Sequence, residues 1–405
     1  MKKTMLLSLA LGLASAAPVM AVNYDLYISG STAFRANAHD ACSKLFDTVQ
    51  AGNNGTGTAA VNSDSRWTMT GTCVTSGLTS GADTLTIHAL WTGSVQGLSA
   101  MLNKDQLVFL ASGTVGSTTL VTNSSSVAFS DVFSAPTLDP LPSGSFTEKK
   151  VAVQPFVFVR SQGVGGVQAI KNVTWQQLNT LLGSSGGSAP LSYFTGKQGD
   201  ATTNIYFVHR SLDSGTRVTT VQEGKYIGSV LVNYYDPTSD GYSPATTNIG
   251  PAAFGPGYVG GSDVKGVLNF ATAGNQAIGY LSFSDAKGVG PANWANILSF
   301  NGEYPLINYT NGVTAPTTND FQNVYTGKYS FWAFEVLDSP KSGQWGTYTD
   351  QNLSFSQLTT ILNKLTGTGV GSIDNEIATS GAARTAIRLN EMTVSRSAVG
   401  GVIAP

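Results

Sequence analysis

Four segments of the chain place residues that could bind a small anion directly after short apolar runs. The residues are glycines, hydroxyl side chains, one carboxylate and one arginine: Gly30-Ser31-Thr32, Gly93-Ser94, Ser130-Asp131, and Arg210 with Ser214-Gly215-Thr216. Three of the four segments precede a predicted helix, where unpaired backbone N–H groups and the positive end of the helix dipole favour a negative ligand. Arg210 would add a fixed charge and a two-pronged donor. The combination predicts a site for a small tetrahedral oxyanion.

Asp131 is the unexpected member of this set, because a carboxylate repels an anion. It becomes useful when the ligand carries a proton, since the carboxylate then accepts a hydrogen bond from P–OH but can only repel fully ionised sulfate. We therefore expect the site to select phosphate over sulfate.

Each segment also has an ordinary structural interpretation. A single Gly-Ser-Thr or Gly-Ser is usually a turn with a helix cap. Asp131 alone is more often a turn residue, and Arg210 alone could form a surface salt bridge. The interpretation as a site depends on all four segments lying at strand ends of one sheet.

The sequence gives little support for catalysis: a GxSxG pattern occurs at residues 183–187, but it follows a predicted helix instead of a strand, so it lacks the geometry of a nucleophile elbow. There is no GxxxxGK[ST] loop, and His39, His88 and His209 are isolated from one another. No base is paired with a nucleophile, and no Asp and His cluster suited to two metal ions is visible. We therefore predict a binding protein without metal, cofactor or catalytic residues.

The elements that would position the four segments alternate between strand and helix in the first 130 residues. The predicted strands are VNYDLYISG, DTLTIHALW and SSSVAFSDV, and the predicted helices are STAFRANAHDACSKLFDTV and GSVQGLSAMLN. Strand, tight polar turn and helix in repetition predict a mostly parallel α/β sheet, with ligands at the carboxyl ends of its strands.

A Pro-rich stretch at 135–150 precedes a second series of elements. Strands are predicted at VAVQPFVFVR, NIYFVHR, AIGYLSFSDA and EYPLINYT, and helices at KNVTWQQLNTLLG, SGTRVTTVQEGKYIG, GKYSFWAFEVL and DQNLSFSQLTTILNKL. The Gly-, Pro- and Tyr-rich stretch at 233–263 is predicted to be a long surface excursion.

The N-terminal residues MKKTMLLSLALGLASAAPVMA predict a secretory signal peptide cut after Ala21, with no cysteine after the cut for a lipid anchor. The remaining chain of about 380 residues is long enough for two domains. Charged residues make up only 11% of the chain and the net charge is -2, which argues against binding to nucleic acid or to a membrane surface. We expect an exported protein that is periplasmic or secreted.

Two cysteines, Cys42 and Cys73, occur in a chain bound for an oxidising compartment. We expect one disulfide that ties the first helix to a nearby strand. The alternative is a pair of buried thiols, whereas a zinc site lacks the necessary histidines.

The motifs ISGSTAF, LWTGSVQG, AFSDV and RSLDSGT resemble those of the phosphate-binding proteins of ABC transporters, the PstS-like proteins and the related DING proteins. NVTWQQLNTLLG and AIGYLSF also resemble family segments, and the order of the motifs agrees over roughly residues 24–309. The resemblance implies the type 2 periplasmic-binding-protein fold, in which two α/β lobes are joined by two crossover strands and enclose a ligand cleft.

Carried over by motif, the family's phosphate ligands fall on nine residues: Ser31, Thr32, Ala33, Ser94, Asp131, Arg210, Ser214, Gly215 and Thr216. The first motif has one residue more than the family pattern, so Ser31, Thr32 and Ala33 remain alternatives for the first contact. The expected organisation is a signal peptide at 1–21, lobe 1 at 22–153, lobe 2 at 154–300, and a return to lobe 1 with a C-terminal extension at 301–405.

The function implied is a monomeric solute-binding protein that holds inorganic phosphate or a similar oxyanion by hydrogen bonds, with an ABC permease as candidate partner. One alternative is a secreted phosphatase-like DING-type enzyme, because a serine or threonine in an anion site could attack a phosphate ester. Another is a surface or adhesion protein that reuses the fold, which the excursion at 233–263 and the long tail would suit.

Overall fold

The computed structural model describes 14 stretches of the chain: residues 21–61, 64–75, 77–133, 146–162, 166–184, 187–227, 235–238, 241–244, 257–269, 276–289, 296–309, 320–348, 352–381 and 384–405. The predicted signal peptide, most of the Pro-rich stretch and most of the excursion at 233–263 lie outside the described residues.

The strands are β1 (Asn23–Gly30), β2 (Thr48–Asn53), β3 (Arg66–Thr72), β4 (Thr84–Leu90), β5 (Gln106–Leu110), β6 (Leu120–Ser124), β7 (Val127–Ser130), β8 (Phe146–Arg160), β9 (Asn172–Val173), β10 (Ser188–Pro190), β11 (Asn204–Val208), β12 (Tyr235–Thr238), β13 (Gly241–Pro244), β14 (Ala277–Ser282), β15 (Ile297–Phe300) and β16 (Trp332–Pro340).

The helices are α1 (Arg35–Ser43), α2 (Ser94–Asn103), α3 (Trp175–Gly183), α4 (Ser192–Thr195), α5 (Gly215–Glu223), α6 (Gly261–Leu268), α7 (Phe283–Ala286), α8 (Gln322–Tyr325), α9 (Ser342–Trp345), α10 (Phe355–Leu365) and α11 (Ile373–Thr379).

One mixed sheet runs through the described part of the chain in the order β10-β11-β14-β8-β16-β7-β1-β4-β3-β2, and β15 and β9 join it beside β8. β1 pairs in parallel with β4 and β7, and β11 pairs in parallel with β14. The long strands β8 and β16 are antiparallel to each other and connect these two parallel groups. The predicted α/β architecture with two crossover strands is therefore confirmed, although the sheet as a whole is mixed.

The two parallel groups belong to separate hydrophobic cores. The core of the first, which we call lobe 1, contains Leu26, Ile28 and Trp67 of β1 and β3, and α9 to α11 pack against it. The core of the second, which we call lobe 2, contains Phe158 and Tyr280 of β8 and β14. Because β8 contributes to both cores, it holds the two lobes in one sheet.

The predicted strands before each anion-binding segment are confirmed as β1, β4, β7 and β11, and the predicted helices after them as α1, α2 and α5. α1 and α5 are shorter than predicted. The Thr174 cap of α3 is confirmed by its hydrogen bond from the Gln177 N–H, at 3.2 Å.

Two predictions near the C-terminal end are wrong. The segment GKYSFWAFEVL was predicted as a helix, but from Trp332 it forms the crossover strand β16. All nine residues of this strand are buried, so the alternation that marks a half-buried strand is missing from the sequence. EYPLINYT was predicted as a strand, but over residues 303–309 it forms turns and bends, with a single bridge from Glu303 to Phe300.

The predicted disulfide is not formed: Cys42 and Cys73 are both present as buried thiols. They lie in the lobe 1 core among apolar side chains, where cysteine packs as a small hydrophobic residue. Burial raises the pKa of each thiol to about 12, which keeps them in the unreactive protonated form.

Over the described residues, no helix has the length and apolar character needed to cross a membrane.

Candidate functional site: an anion cradle between the lobes

Three of the predicted segments meet because their strands are neighbours. β1 lies between β4 and β7 and is parallel to both, so the residues that follow the three strands emerge at one edge of the sheet. The Gly93 N–H donates to the Gly30 carbonyl at 2.9 Å. The fourth segment comes from lobe 2, where the Asp213 carbonyl accepts a hydrogen bond from the Val95 N–H at 3.0 Å. All four segments are therefore joined into one site between the lobes.

Arg210 is the charged centre of this site and is only 1% exposed. Its Nη2 donates to the Thr32 hydroxyl at 2.9 Å and to the Val259 carbonyl at 2.7 Å, while its Nε donates to the Tyr258 carbonyl at 3.1 Å. Burial lowers the pKa of Arg210, opposed by Tyr280 and by nearby carboxylates. An arginine remains charged through such shifts, so the site holds a fixed positive charge.

Asp131 lies opposite the arginine and is also buried, at 1% exposure. One carboxylate oxygen accepts a hydrogen bond from the Ser94 hydroxyl, and the other accepts one from the Thr216 hydroxyl at 3.3 Å. Burial raises the pKa of Asp131, while the Ser94 hydrogen bond and the charge of Arg210 oppose that rise. The carboxylate therefore orients two hydroxyl groups from different lobes.

Gly215 must be a glycine because it approaches Asp131 closely. A Cβ atom at this position would overlap the Asp131 Oδ1 atom and lie 2.9 Å from Cβ of Ser94. Gly93 is constrained in another way: its φ of 114° disfavours an L side chain, and a Cβ there would lie 2.6 Å from the Asp213 carbonyl oxygen. Both glycines therefore allow the two lobes to approach each other closely at the site.

Two helices begin at the site, α2 at Ser94 and α5 at Gly215. Their first backbone N–H groups and dipoles favour an anion at this place. Ser214 caps α5, because its hydroxyl accepts the Arg217 N–H at 3.2 Å. The Ser214 side chain therefore organises the helix start, whereas Thr216 reaches Asp131 directly.

The three residues of the first motif, Ser31, Thr32 and Ala33, make different contacts. The Thr32 hydroxyl contacts Arg210, as described above. Ser31 is buried and donates its N–H to the Phe129 carbonyl at 2.8 Å, but its hydroxyl has no hydrogen-bond partner among the described residues. The Ala33 side chain packs into the lobe 2 core. Thr32 and Ser31 are thus the side chains of this motif that can reach a ligand.

Solved structures of phosphate-binding proteins match most of this chain. One is described as a phosphate ABC transporter substrate-binding protein with bound phosphate from Clostridium perfringens, at 15% identity and a TM-score of 0.48, covering 90% of this chain and 99% of that one. A second is an ABC-type phosphate transport receptor from Vibrio cholerae, at 15% identity and a TM-score of 0.43, covering 88% and 97%. A third is a DING-type periplasmic phosphate-binding protein bound with phosphate, at 15% identity and a TM-score of 0.44, covering 90% of each chain.

Neither the family models nor the curated proteins compared with this sequence match it. The identities and TM-scores of the three structures are low, so the chemistry of the site is argued only from the geometry of this protein.

Glu335 was missed by the sequence analysis. The register of β16 on β7 pairs Val336 with Ser130, so the next step places Glu335 beside Asp131. Its carboxyl group is fully buried, and neither oxygen has a hydrogen-bond partner of normal geometry in the described part of the chain, although the Ser31 hydroxyl lies close. Burial and the charge of Asp131 raise the pKa of Glu335 well above its ordinary value. Burial therefore favours the protonated form of this group at the edge of the site.

Arg35 and Asp285 were also missed, and they link the lobes beside the site. The Arg35 Nη2 atom lies 2.8 Å from Asp285 Oδ1, and Arg35 also donates to the Thr32 carbonyl. Arg35 belongs to α1 and Asp285 to α7, so the pair fixes the first motif against lobe 2.

His209, the histidine nearest the site, has a pKa lowered to about 3 by burial and by Arg217, and it is therefore neutral at physiological pH.

Proposed function

We propose that this protein binds inorganic phosphate, or a similar tetrahedral oxyanion, in the cleft between its lobes. The observation that carries the proposal is the buried arrangement of Arg210 and Asp131 with hydroxyl groups and helix N-termini from both lobes. The proposed ligand set is that predicted from the sequence, with Ser214 and Ala33 contributing through the backbone: Ser31, Thr32, Ala33, Ser94, Asp131, Arg210, Ser214, Gly215 and Thr216.

Arg210 and Asp131 have complementary tasks in this proposal. The guanidinium group supplies charge-assisted hydrogen bonds to the anion, which are roughly twice as strong as neutral ones. The Asp131 carboxylate accepts a hydrogen bond from a P–OH group of phosphate. It repels sulfate, which has no proton to donate at neutral pH. The ion is thus held by its charge and selected by its proton.

We further propose that the protein is exported through a cleaved signal peptide, acts as a monomer in the periplasm or outside the cell, and delivers its ion to an ABC permease. The chain would divide into lobe 1 at 22–153, lobe 2 at 154–300, and a return to lobe 1 with a C-terminal extension at 301–405. The charge composition and the two crossover strands support this organisation.

A phosphatase-like activity is the second candidate, and one contact favours it. The sequence offered no base paired with a nucleophile, but Ser94 donates its hydroxyl hydrogen to Asp131. The same carboxylate also accepts a hydrogen bond from the Thr216 hydroxyl. In addition, a carboxylate is a weak base for a serine hydroxyl. We therefore favour binding without catalysis, and steady turnover of p-nitrophenyl phosphate that is lost in Ser94→Ala would reverse this preference.

The test of the binding proposal is calorimetric titration of the mature protein, dialysed exhaustively to remove carried-over ion, with phosphate and then sulfate at pH 7. We expect one phosphate per chain, no sulfate, and loss of binding by at least about 100-fold in Arg210→Ala, which removes at least two charge-assisted contacts. Phosphate affinity unchanged in Arg210→Ala would refute the site.

A further inference from the structure

A large cavity opens beside the anion site, between the two lobes. Its volume is about 980 Å³. The lobe 1 wall is formed by residues after β2, the end of β4 with the residues that follow it, α2 and the β5–β6 hairpin, and the lobe 2 wall by Val259, Gly260, Ser262 and Asp263. Pockets for small organic molecules typically measure about 300–1,000 Å³, whereas a single tetrahedral ion fills only a minor part of such a space.

The cavity and the anion site share part of their walls. Thr32 and Val259 line the cavity, and the same two residues accept hydrogen bonds from Arg210 Nη2, at 2.9 Å and 2.7 Å. On the lobe 1 side, Trp91 and Thr92 line the cavity immediately before Gly93 and Ser94 of the anion site. A substituent on an anion held by Arg210 would therefore enter the cavity past Thr32.

Several polar groups of the cavity lining lack partners. The Trp91 indole N–H, the Thr92 hydroxyl, the Gln96 amide oxygen and Arg66 Nε have no hydrogen-bond partner within the described ranges. Trp91 and Thr92 are only 3% and 6% exposed. These atoms lie just beneath the cavity surface, and exposed side chains of the lining, among them Asp105 and Gln106, are polar as well, as a hydroxylated ligand requires.

We propose that this cavity receives the organic group of a phosphate monoester whose phosphoryl group occupies the anion site. The inference rests on the proposed binding of phosphate. Hydroxyl groups on the organic part would hydrogen-bond polar side chains of the lining such as Asp105 and Gln106, while Leu90 and Leu107 cover its apolar atoms. The ligand class is therefore the hydroxylated phosphate monoesters, in addition to the free ion.

The test uses the mature protein and four probes: inorganic phosphate, glycerol 3-phosphate, glucose 6-phosphate and adenosine monophosphate. Each is titrated calorimetrically, and each ester is also tested for displacement of bound phosphate. Thr118→Trp fills the cavity from an exposed position of its wall, and Thr119→Trp is the matched control, since Thr119 is exposed but does not line the cavity. Arg66→Ala removes a cavity cation that forms no ion pair with any described carboxylate.

We expect at least one ester to bind and to displace phosphate, with its affinity lowered about tenfold or more in Thr118→Trp. Inorganic phosphate should bind Thr118→Trp within about twofold of the unaltered protein, and Thr119→Trp should change neither ligand. Binding of phosphate without any of the three esters would overturn the inference and leave the proposed function intact. Ester binding that is insensitive to both Thr118→Trp and Arg66→Ala would place the organic group elsewhere and also overturn it. If phosphate itself fails to bind, the proposed function falls, and the inference with it.

Discussion

Replacing Asp131 with asparagine tests whether the buried carboxylate makes the site select phosphate over sulfate. Asparagine keeps the size of the side chain and one acceptor oxygen, and the Ser94 hydroxyl, which now donates to the carboxylate, can turn to accept from the new amide. The fold should therefore tolerate the change. What the variant loses is one negative charge next to the proposed position of the anion.

The expected magnitude follows from Coulomb's law. An anion held by Arg210, Ser94 and Thr216 would lie about 5 Å from the Asp131 carboxylate, and two unit charges at that distance repel by roughly 3 kcal/mol at an effective dielectric constant of about 20. Removing this repulsion should strengthen sulfate binding by about 100-fold. Phosphate is relieved of the same repulsion but loses a hydrogen bond to a charged acceptor, worth about 1.5–3 kcal/mol. The relief of repulsion is common to both ions, so the ratio of the two affinities should fall by the lost hydrogen bond alone, about 10- to 100-fold.

The assay is a pair of titrations, phosphate and sulfate, on the unaltered protein and on Asp131→Asn at pH 7 and constant ionic strength. Asp83→Asn is the matched control, because Asp83 is a carboxylate at 8% exposure that bonds the Val22 N–H and the Ser80 hydroxyl in lobe 1 instead of the anion site. Sulfate that remains unbound by Asp131→Asn, or a selectivity ratio that moves less than about threefold, would refute the account of the carboxylate.

Three further predictions concern the site and its surroundings. Gly215→Ala should reduce phosphate affinity by more than about 100-fold in titration, because the added Cβ overlaps the Asp131 carboxylate; affinity within threefold of the original would contradict the close approach. Glu335 has a pKa raised well above 4.5, so the folded state keeps a proton that the unfolded state releases. Its contribution to stability is complete below about pH 4.5 and is lost as pH rises through the raised pKa, so the free energy of unfolding, measured by urea titration from pH 4.5 to 8, should fall less steeply in Glu335→Gln; parallel curves would show that the carboxyl is not buried. Cys42 and Cys73 should both react with a thiol reagent after unfolding without reductant, giving two thiols per chain; none would indicate a disulfide.

The segments that form the proposed anion site could be located at strand ends because each depends on a short local pattern. A strand, a small polar turn and a helix start are encoded within about ten residues, and this is why Ser94, Asp131 and Gly215 were found without a structure. Their assembly into one site follows from the pairing of β1 with β4 and β7, which parallel α/β topology makes the expected arrangement.

The contacts that complete the site could not be predicted, because their partners are distant in the sequence. Thr32 and Arg210 are 178 residues apart, and Arg35 and Asp285 are 250 residues apart. Glu335 was missed for a different reason. It lies in β16, whose residues are buried on both faces, and a continuous apolar run of this kind does not distinguish a strand from a buried helix.

The protonation of Glu335 bears on the charge of the proposed anion site. With Arg210 charged and Asp131 ionised, the two side chains cancel, and attraction for a ligand then comes from the N-termini of α2 and α5 and from the hydroxyl groups. A second carboxylate beside Asp131 would make the site net negative and would repel phosphate by an energy similar to that calculated for Asp131. Glu335 lies on β16, the crossover strand that pairs with both β7 and β8. Burial favours the protonated form of this carboxyl, and in that form Glu335 adds no negative charge beside the proposed anion.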